Sequence, residues 1–172
     1  MSKKIFKDIQ FWLASLLVIA TVVLSFSNYI RIFDLFFAVD LLVAEFYFHH
    51  WLSWIGGLYI AFTIPVYSVM KRRRPKMYGS LLKIHIFGNL LAFLLVSLHF
   101  SQQMGRPASF FPDLGTGLVL YIAMMLLVAT GFLQRFPILR GATKQMRFLH
   151  TSVTVTFYLV IIVHALHTMG IF

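Results

Sequence analysis

The chain of 172 residues contains no cysteine. That excludes disulfides, thiolate metal sites, iron–sulfur clusters and the C-x-x-C-H attachment of c-type haem. Charge is scarce as well. Asp, Glu, Lys and Arg make up 12% of the chain, against about 25% in a soluble domain. Acid is scarcest, with five Asp and Glu against 15 Lys and Arg. Internal repeats, low-complexity tracts and glycine-rich nucleotide-binding loops are not found. What is abundant is apolar surface: 60% of the residues are hydrophobic and nineteen are Phe. One soluble core of this size could not hide that much. The fold expected is therefore all-α and polytopic, a single membrane domain over residues 1–172.

A helix needs about 20 apolar residues to cross about 30 Å of hydrocarbon. Five segments meet that length, at about residues 11–29, 51–70, 81–100, 118–133 and 150–169. The stretch from Ile32 to His50 is apolar but carries Asp34, Asp40 and Glu45. It reads as an outer loop or an interfacial helix, with an early start to the second span. Pro65 is expected to kink that span. Gly56 and Gly57 should let a neighbour approach closely.

The net charge of +10 would point to nucleic acid in a soluble protein. Here the basic residues fall between the apolar segments, and no nucleic-acid partner is implied. Lys3, Lys4 and Lys7 precede the first span. Lys71, Arg72, Arg73, Arg74, Lys76 and Lys83 surround the second turn, and Arg135, Arg140, Lys144 and Arg147 the fourth. With five spans these three groups share one side. Only Arg31 and Arg106 lie opposite, with Asp34, Asp40, Glu45 and Asp113. The positive-inside rule then sets the N-terminus in the cytoplasm and the C-terminus outside the plasma membrane. The first apolar run is long and has no clear small-x-small cleavage site, so it is expected to stay as a span.

Ionisable residues inside spans are rare and usually functional. Four of the seven His form a pattern: His85 and His99 on the third span, His150 and His164 on the fifth, each pair fourteen residues apart. Fourteen residues fall about 40° short of four helical turns and cover about 21 Å. Each pair therefore shares one face, with one His near each surface. The third and fifth spans run parallel, so His85 and His150 belong to the inner side and His99 and His164 to the outer. Facing helices in a bundle are where cofactors are held. The arrangement is expected to be a haem-binding bundle for two b haems, with these four His as axial iron ligands. The competing reading makes each His a helix–helix hydrogen-bonding residue.

Other residues carry two readings each. Gly88 and Ala92 on the His face give room for a flat macrocycle or form a helix-packing face. Thr154, Phe157 and Ile161 line the corresponding face of the fifth span, with Phe157 midway. Lys83 and Arg147, near the inner pair, meet propionates or simply follow the positive-inside rule, and Arg106 follows the outer pair as a propionate partner there. His167 is the substitute outer ligand, about 100° away from the shared face. His49 and His50, with Glu45, form a polar rim, a metal site or the lining of a quinol site.

The run Phe148-Leu149-His150-Thr151-Ser152-Val153-Thr154-Val155-Thr156-Phe157-Tyr158-Leu159-Val160-Ile161-Ile162-Val163-His164 resembles the fifth helix of ferric reductase-like transmembrane domains. Eukaryotic NADPH oxidases, ferric reductases and the haem subunit of bacterial periplasmic methionine sulfoxide reductase belong to that group. The resemblance covers about residues 81–168. It implies two b haems between the third and fifth helices, on His85, His99, His150 and His164. The family usually has a sixth helix, and many members carry a cytosolic flavin and nicotinamide domain. This sequence has neither, so electrons are expected from a separate redox protein or a quinol.

The expected function is that of an electron-transfer subunit of an oxidoreductase, within a multi-subunit complex in membrane lipid. A quinone-linked membrane anchor is the second reading. A metal-ion transporter or cofactor-free accessory protein is the third, against which stands the lack of Asp and Glu in the last three spans.

The natural lack of cysteine makes topology directly testable. A single cysteine at Ser109→Cys is expected to react with a membrane-impermeant maleimide on intact cells, and one at Ala142→Cys only after permeabilisation. The opposite labelling would overturn the orientation.

Overall fold

The computed structural model describes residues 8–30, 42–43, 46–104, 114–136 and 141–168. Five helices dominate it: α1 (Ile9–Tyr29), α2 (Phe48–Arg73), α3 (Tyr78–Met104), α4 (Leu114–Arg135) and α5 (Thr143–Thr168). A 3₁₀ turn, Pro75–Met77, joins α2 to α3. Two short strands, β1 (Leu42–Val43) and β2 (Phe46–Tyr47), pair antiparallel just before α2. Each helix is long and apolar enough to cross a bilayer. Among the described residues there are thus five candidate membrane spans, each containing or nearly containing its expected segment. Lys3, Lys4, Lys7, Arg31, Asp34, Asp40, Glu45, Arg106, Asp113 and Arg140 lie outside the described residues, as does the side chain of His49.

Helix faces sort by solvent. On α1, Trp12, Leu16, Ile19, Val23 and Phe26 form an exposed apolar stripe at helical spacing. On α5, Phe148, Val155, Leu159 and Ile162 do the same, Leu159 being 62% exposed. Such surfaces suit acyl chains, not water. Phe157 is 1% exposed and lies on the opposite side of α5 from Val155 and Leu159.

The chain divides into two compact units, Trp12–Phe110 and the pair of segments Met1–Phe11 and Phe111–Phe172. In the first, α2 packs along α3. The approach is closest at Gly56, where an added Cβ would lie 2.9 Å from the Ala92 carbonyl oxygen and 2.9 Å from Val96 Cγ2. Small residues let transmembrane backbones meet in this way. Helix α2 runs unbroken through Pro65. The end of α1 is tied to α3 by a polar knot. Asn28 donates its amide N–H to Ser101 Oγ at 2.7 Å, and Ser101 donates its own proton to the Leu98 carbonyl at 2.9 Å.

In the second unit α4 and α5 form an antiparallel hairpin. The Asp8 carboxylate caps the start of α1 by accepting the Gln10 N–H at 2.9 Å. Phe11 packs against Phe132 and Phe136 at centroid distances of 5.6 and 5.2 Å. Arg135 donates to Gln10 Oε1 at 2.7 Å.

Gly56→Ala should force α2 and α3 apart, because the obstructing atom is backbone. A loss of about 1–3 kcal/mol is expected, read as a lower melting temperature in detergent. Gly79→Ala, which meets nothing within 4 Å, should leave melting unchanged.

Candidate functional site

Both His pairs sit on the buried side of their own hairpin. In the α4–α5 unit, the His150 Nδ1 lies 3.0 Å from Thr130 Oγ1. The proton count fixes the direction. Thr130 spends its one hydroxyl proton on the Leu126 carbonyl at 2.6 Å. Its oxygen can then only accept, so His150 donates from Nδ1. The tautomer that results carries its lone pair on Nε2.

His164 repeats the arrangement at the other end of the hairpin, its Nδ1 3.0 Å from Thr116 Oγ1. Each imidazole lies over a glycine. A Cβ on Gly131 would come within 3.2 Å of His150 Cε1, and one on Gly117 within 3.4 Å of His164 Cε1. Helix α4 therefore presents Thr-Gly twice, at 116–117 and 130–131, with the same fourteen-residue period as the histidines of α5. Phe157, seven residues from each His, is buried at the midpoint.

In the other unit, His85 and His99 lie on the side of α3 that meets α2. His85 stacks on Tyr67 of α2, with ring centroids 4.4 Å apart and planes 13° from parallel. Lys71 Nζ stands 5.3 Å from the centroid of the same Tyr67 ring. His85 Nδ1 is 3.0 Å from the side-chain amide of Asn89, one turn along α3. That amide also reaches Thr63 Oγ1 of α2 at 3.2 Å. His99 meets the His50 ring at a centroid distance of 5.6 Å. Ala92, midway between His85 and His99, is 2% exposed. Gly88 is covered by Tyr59, whose phenol occupies the place a Cβ would take. Tyr59 donates that hydroxyl to the Ile84 carbonyl at 3.2 Å.

The remaining sequence candidates sit at the periphery. Arg147 and Lys83 are exposed near the starts of α5 and α3. His167 is exposed where His164 is half-buried. Among the described residues no three His, Asp or Glu side chains gather into a bare metal-ion site.

Sequence reading named the histidines but missed Thr116, Thr130, Asn89, Thr63 and Tyr67, which hold them. A signal for two of these was present: the Thr-Gly pair recurs on α4 at the histidine spacing.

No family model matches the chain, and neither a curated protein nor a solved structure matches it.

Thr130→Val keeps the shape and removes the acceptor for His150. A loss of about 1 kcal/mol of stability is expected, together with loss of the Nδ1–H tautomer signature of His150 in ¹⁵N-histidine NMR. Gly131→Ala should disturb that signal, since its neighbour must yield. Gly117→Ala, an ordinary van der Waals contact, should leave the His164 signal in place.

Proposed function

We propose that this chain is the di-haem b-type cytochrome subunit of a larger oxidoreductase, moving electrons across the plasma membrane between a separate donor and a separate acceptor. His85 and His150 would hold the inner haem, and His99 and His164 the outer one. The observation that carries the reading is the seating of the two α5 imidazoles. Each has its Nδ1 on a threonine hydroxyl, at two points one ligand spacing apart.

This is the donor set that an axial ligand needs. A metal-bound imidazole coordinates through one nitrogen and gives its other N–H to a neighbouring acceptor, which fixes ring and tautomer. At His150 the acceptor is Thr130, and the Nε2 lone pair is the one left for iron. A haem with two imidazole ligands supplies one-electron Fe(III)/Fe(II) exchange and keeps no open position for oxygen.

The chain's own groups complete the device. Thr130 and Thr116 hold the α5 rings. The Tyr67 ring fixes the plane of His85 by stacking. The choice of His164 over His167 rests on the Thr116 bond and on the exposure of His167. Gly88, occupied by Tyr59, serves helix packing beside the ligand His85. Arg147 and Lys83 stand where inner propionates would need cations. The inner basic residues offer a docking face to an acidic donor, with the N-terminus cytoplasmic and the C-terminus outside.

A quinone-linked membrane anchor is the second reading. It is favoured by His50, whose ring meets that of His99 and could take a proton from a quinol at the outer side.

A reduced-minus-oxidised spectrum with pyridine haemochrome quantification tests the proposal. About two b haems per chain are expected, one lost in His85→Ala and the other in His99→Ala. A folded preparation that holds no haem in its native complex would overturn the cytochrome reading. Haem reduction by a quinol that disappears in His50→Phe would select the anchor reading.

A further inference from the structure

The Thr143 end of α5 holds a feature that the histidines do not use. An open cleft of about 520 Å³ lies against its first turns, lined by Lys144, Gln145, Phe148 and Leu149. Clefts of that size hold small molecules. All four lining residues are exposed, Phe148 by 71%.

The cleft has a charged end and an apolar end. At about 100° per residue, Phe148, Val155, Leu159 and Ile162 fall within about 60° of Lys144 around the helix. Lys144 therefore heads the exposed apolar stripe of α5. Phe148 stands about 6 Å further along the axis, and the stripe runs about 21 Å from there to Ile162. A cation at the end of a span, followed by an apolar track into the bilayer, matches a phospholipid: phosphate at the surface, acyl chain below.

Charge selects the headgroup. The first turn of α5 carries no acid. Among the described residues the only carboxylate is Asp8, which caps α1. A zwitterionic headgroup would bring an ammonium that finds no carboxylate on α5. A headgroup of net negative charge brings only what Lys144 attracts. A soluble acidic protein would meet Lys144 but not the stripe beyond it, which suits acyl chains.

We propose that the Lys144–Phe148 cleft is a binding site for an anionic phospholipid of the leaflet at that end of α5. The phosphate sits on the Lys144 ammonium, and one acyl chain lies along the α5 stripe. The site needs no haem and is independent of the cytochrome reading.

The test is native mass spectrometry of the full chain released from nanodiscs of equal parts phosphatidylcholine and phosphatidylglycerol. The wild type should retain phosphatidylglycerol in preference. Lys144→Gln should lower that preference about fivefold, the effect of one cation near an anionic surface, and Lys144→Arg should keep it. Lys76→Gln removes another exposed cation, in the 3₁₀ turn between α2 and α3, and should change nothing. Phe148→Ala should reduce retention of both lipids alike. A wild type without preference, or equal losses in Lys144→Gln and Lys76→Gln, would overturn the proposal in favour of general attraction to a basic surface. Unchanged retention in Phe148→Ala, or displacement of the lipid by excess inorganic phosphate, would overturn it by removing the acyl chain from the site.

Discussion

A lipid interior gives no hydrogen bond to a stray polar group. An imidazole carried into a bilayer must therefore bring its partner with it, on its own helix or on the next. Much of this structure follows from that constraint. His150 and His164 are met by threonines of α4, and His85 by an asparagine of its own helix that is itself steadied by α2. Thr130 can serve only because its own proton is already spent on a backbone carbonyl one turn back. Thr130 and Asn89 thus each have a supporting bond, and the threonine–histidine bonds lie between helices that pack closely. Gly56, Gly117 and Gly131 supply that closeness.

The same economy explains the contrast between the two sides of α5. Val155, Leu159 and Ile162 face outward and have no polar task, so acyl chains solvate them. His150, Phe157 and His164 recur every seven residues on the other side. Seven residues are nearly two turns, which keeps a line of side chains nearly straight over the thickness of a bilayer. Helix α3 uses the same line with His85, Ala92 and His99. One line has a bulky buried residue at its midpoint and the other a small one.

The five spans were legible in the sequence because hydropathy over twenty residues is a summed property that few local errors disturb. Their ends were less so. Helix α5 begins at Thr143, well before the apolar run, because Lys144, Gln145 and Arg147 are good helix formers in the interfacial turns. The histidines were legible because a titratable group in an apolar run stands out. Their partners were not, because Thr and Asn are ordinary in transmembrane helices and gain meaning only through pairing. Thr130 is indistinguishable by composition from Thr154 or Thr156, which merely return their hydroxyls to their own helix. The two readings of Gly88 could not be separated either. Whether a glycine clears space for a ligand or for a tyrosine depends on a residue twenty-nine positions earlier, Tyr59.

The duplicated Thr-Gly step on α4 also acts as a vernier. A single threonine–histidine bond would fix where two antiparallel helices touch but not how they slide or tilt. Two such bonds, about 21 Å apart, remove both freedoms. A slip by one residue would carry each hydroxyl about 1.5 Å along the axis and turn it by about 100°, breaking both bonds together. A misfit of about 1 Å at one end corresponds to a tilt of only about 3° over that baseline. The hairpin therefore has one register in which both imidazoles are seated. An insertion or deletion of one residue anywhere between Thr116 and Thr130 would unseat one histidine while leaving the other, dividing a two-site device into a one-site device without touching either histidine.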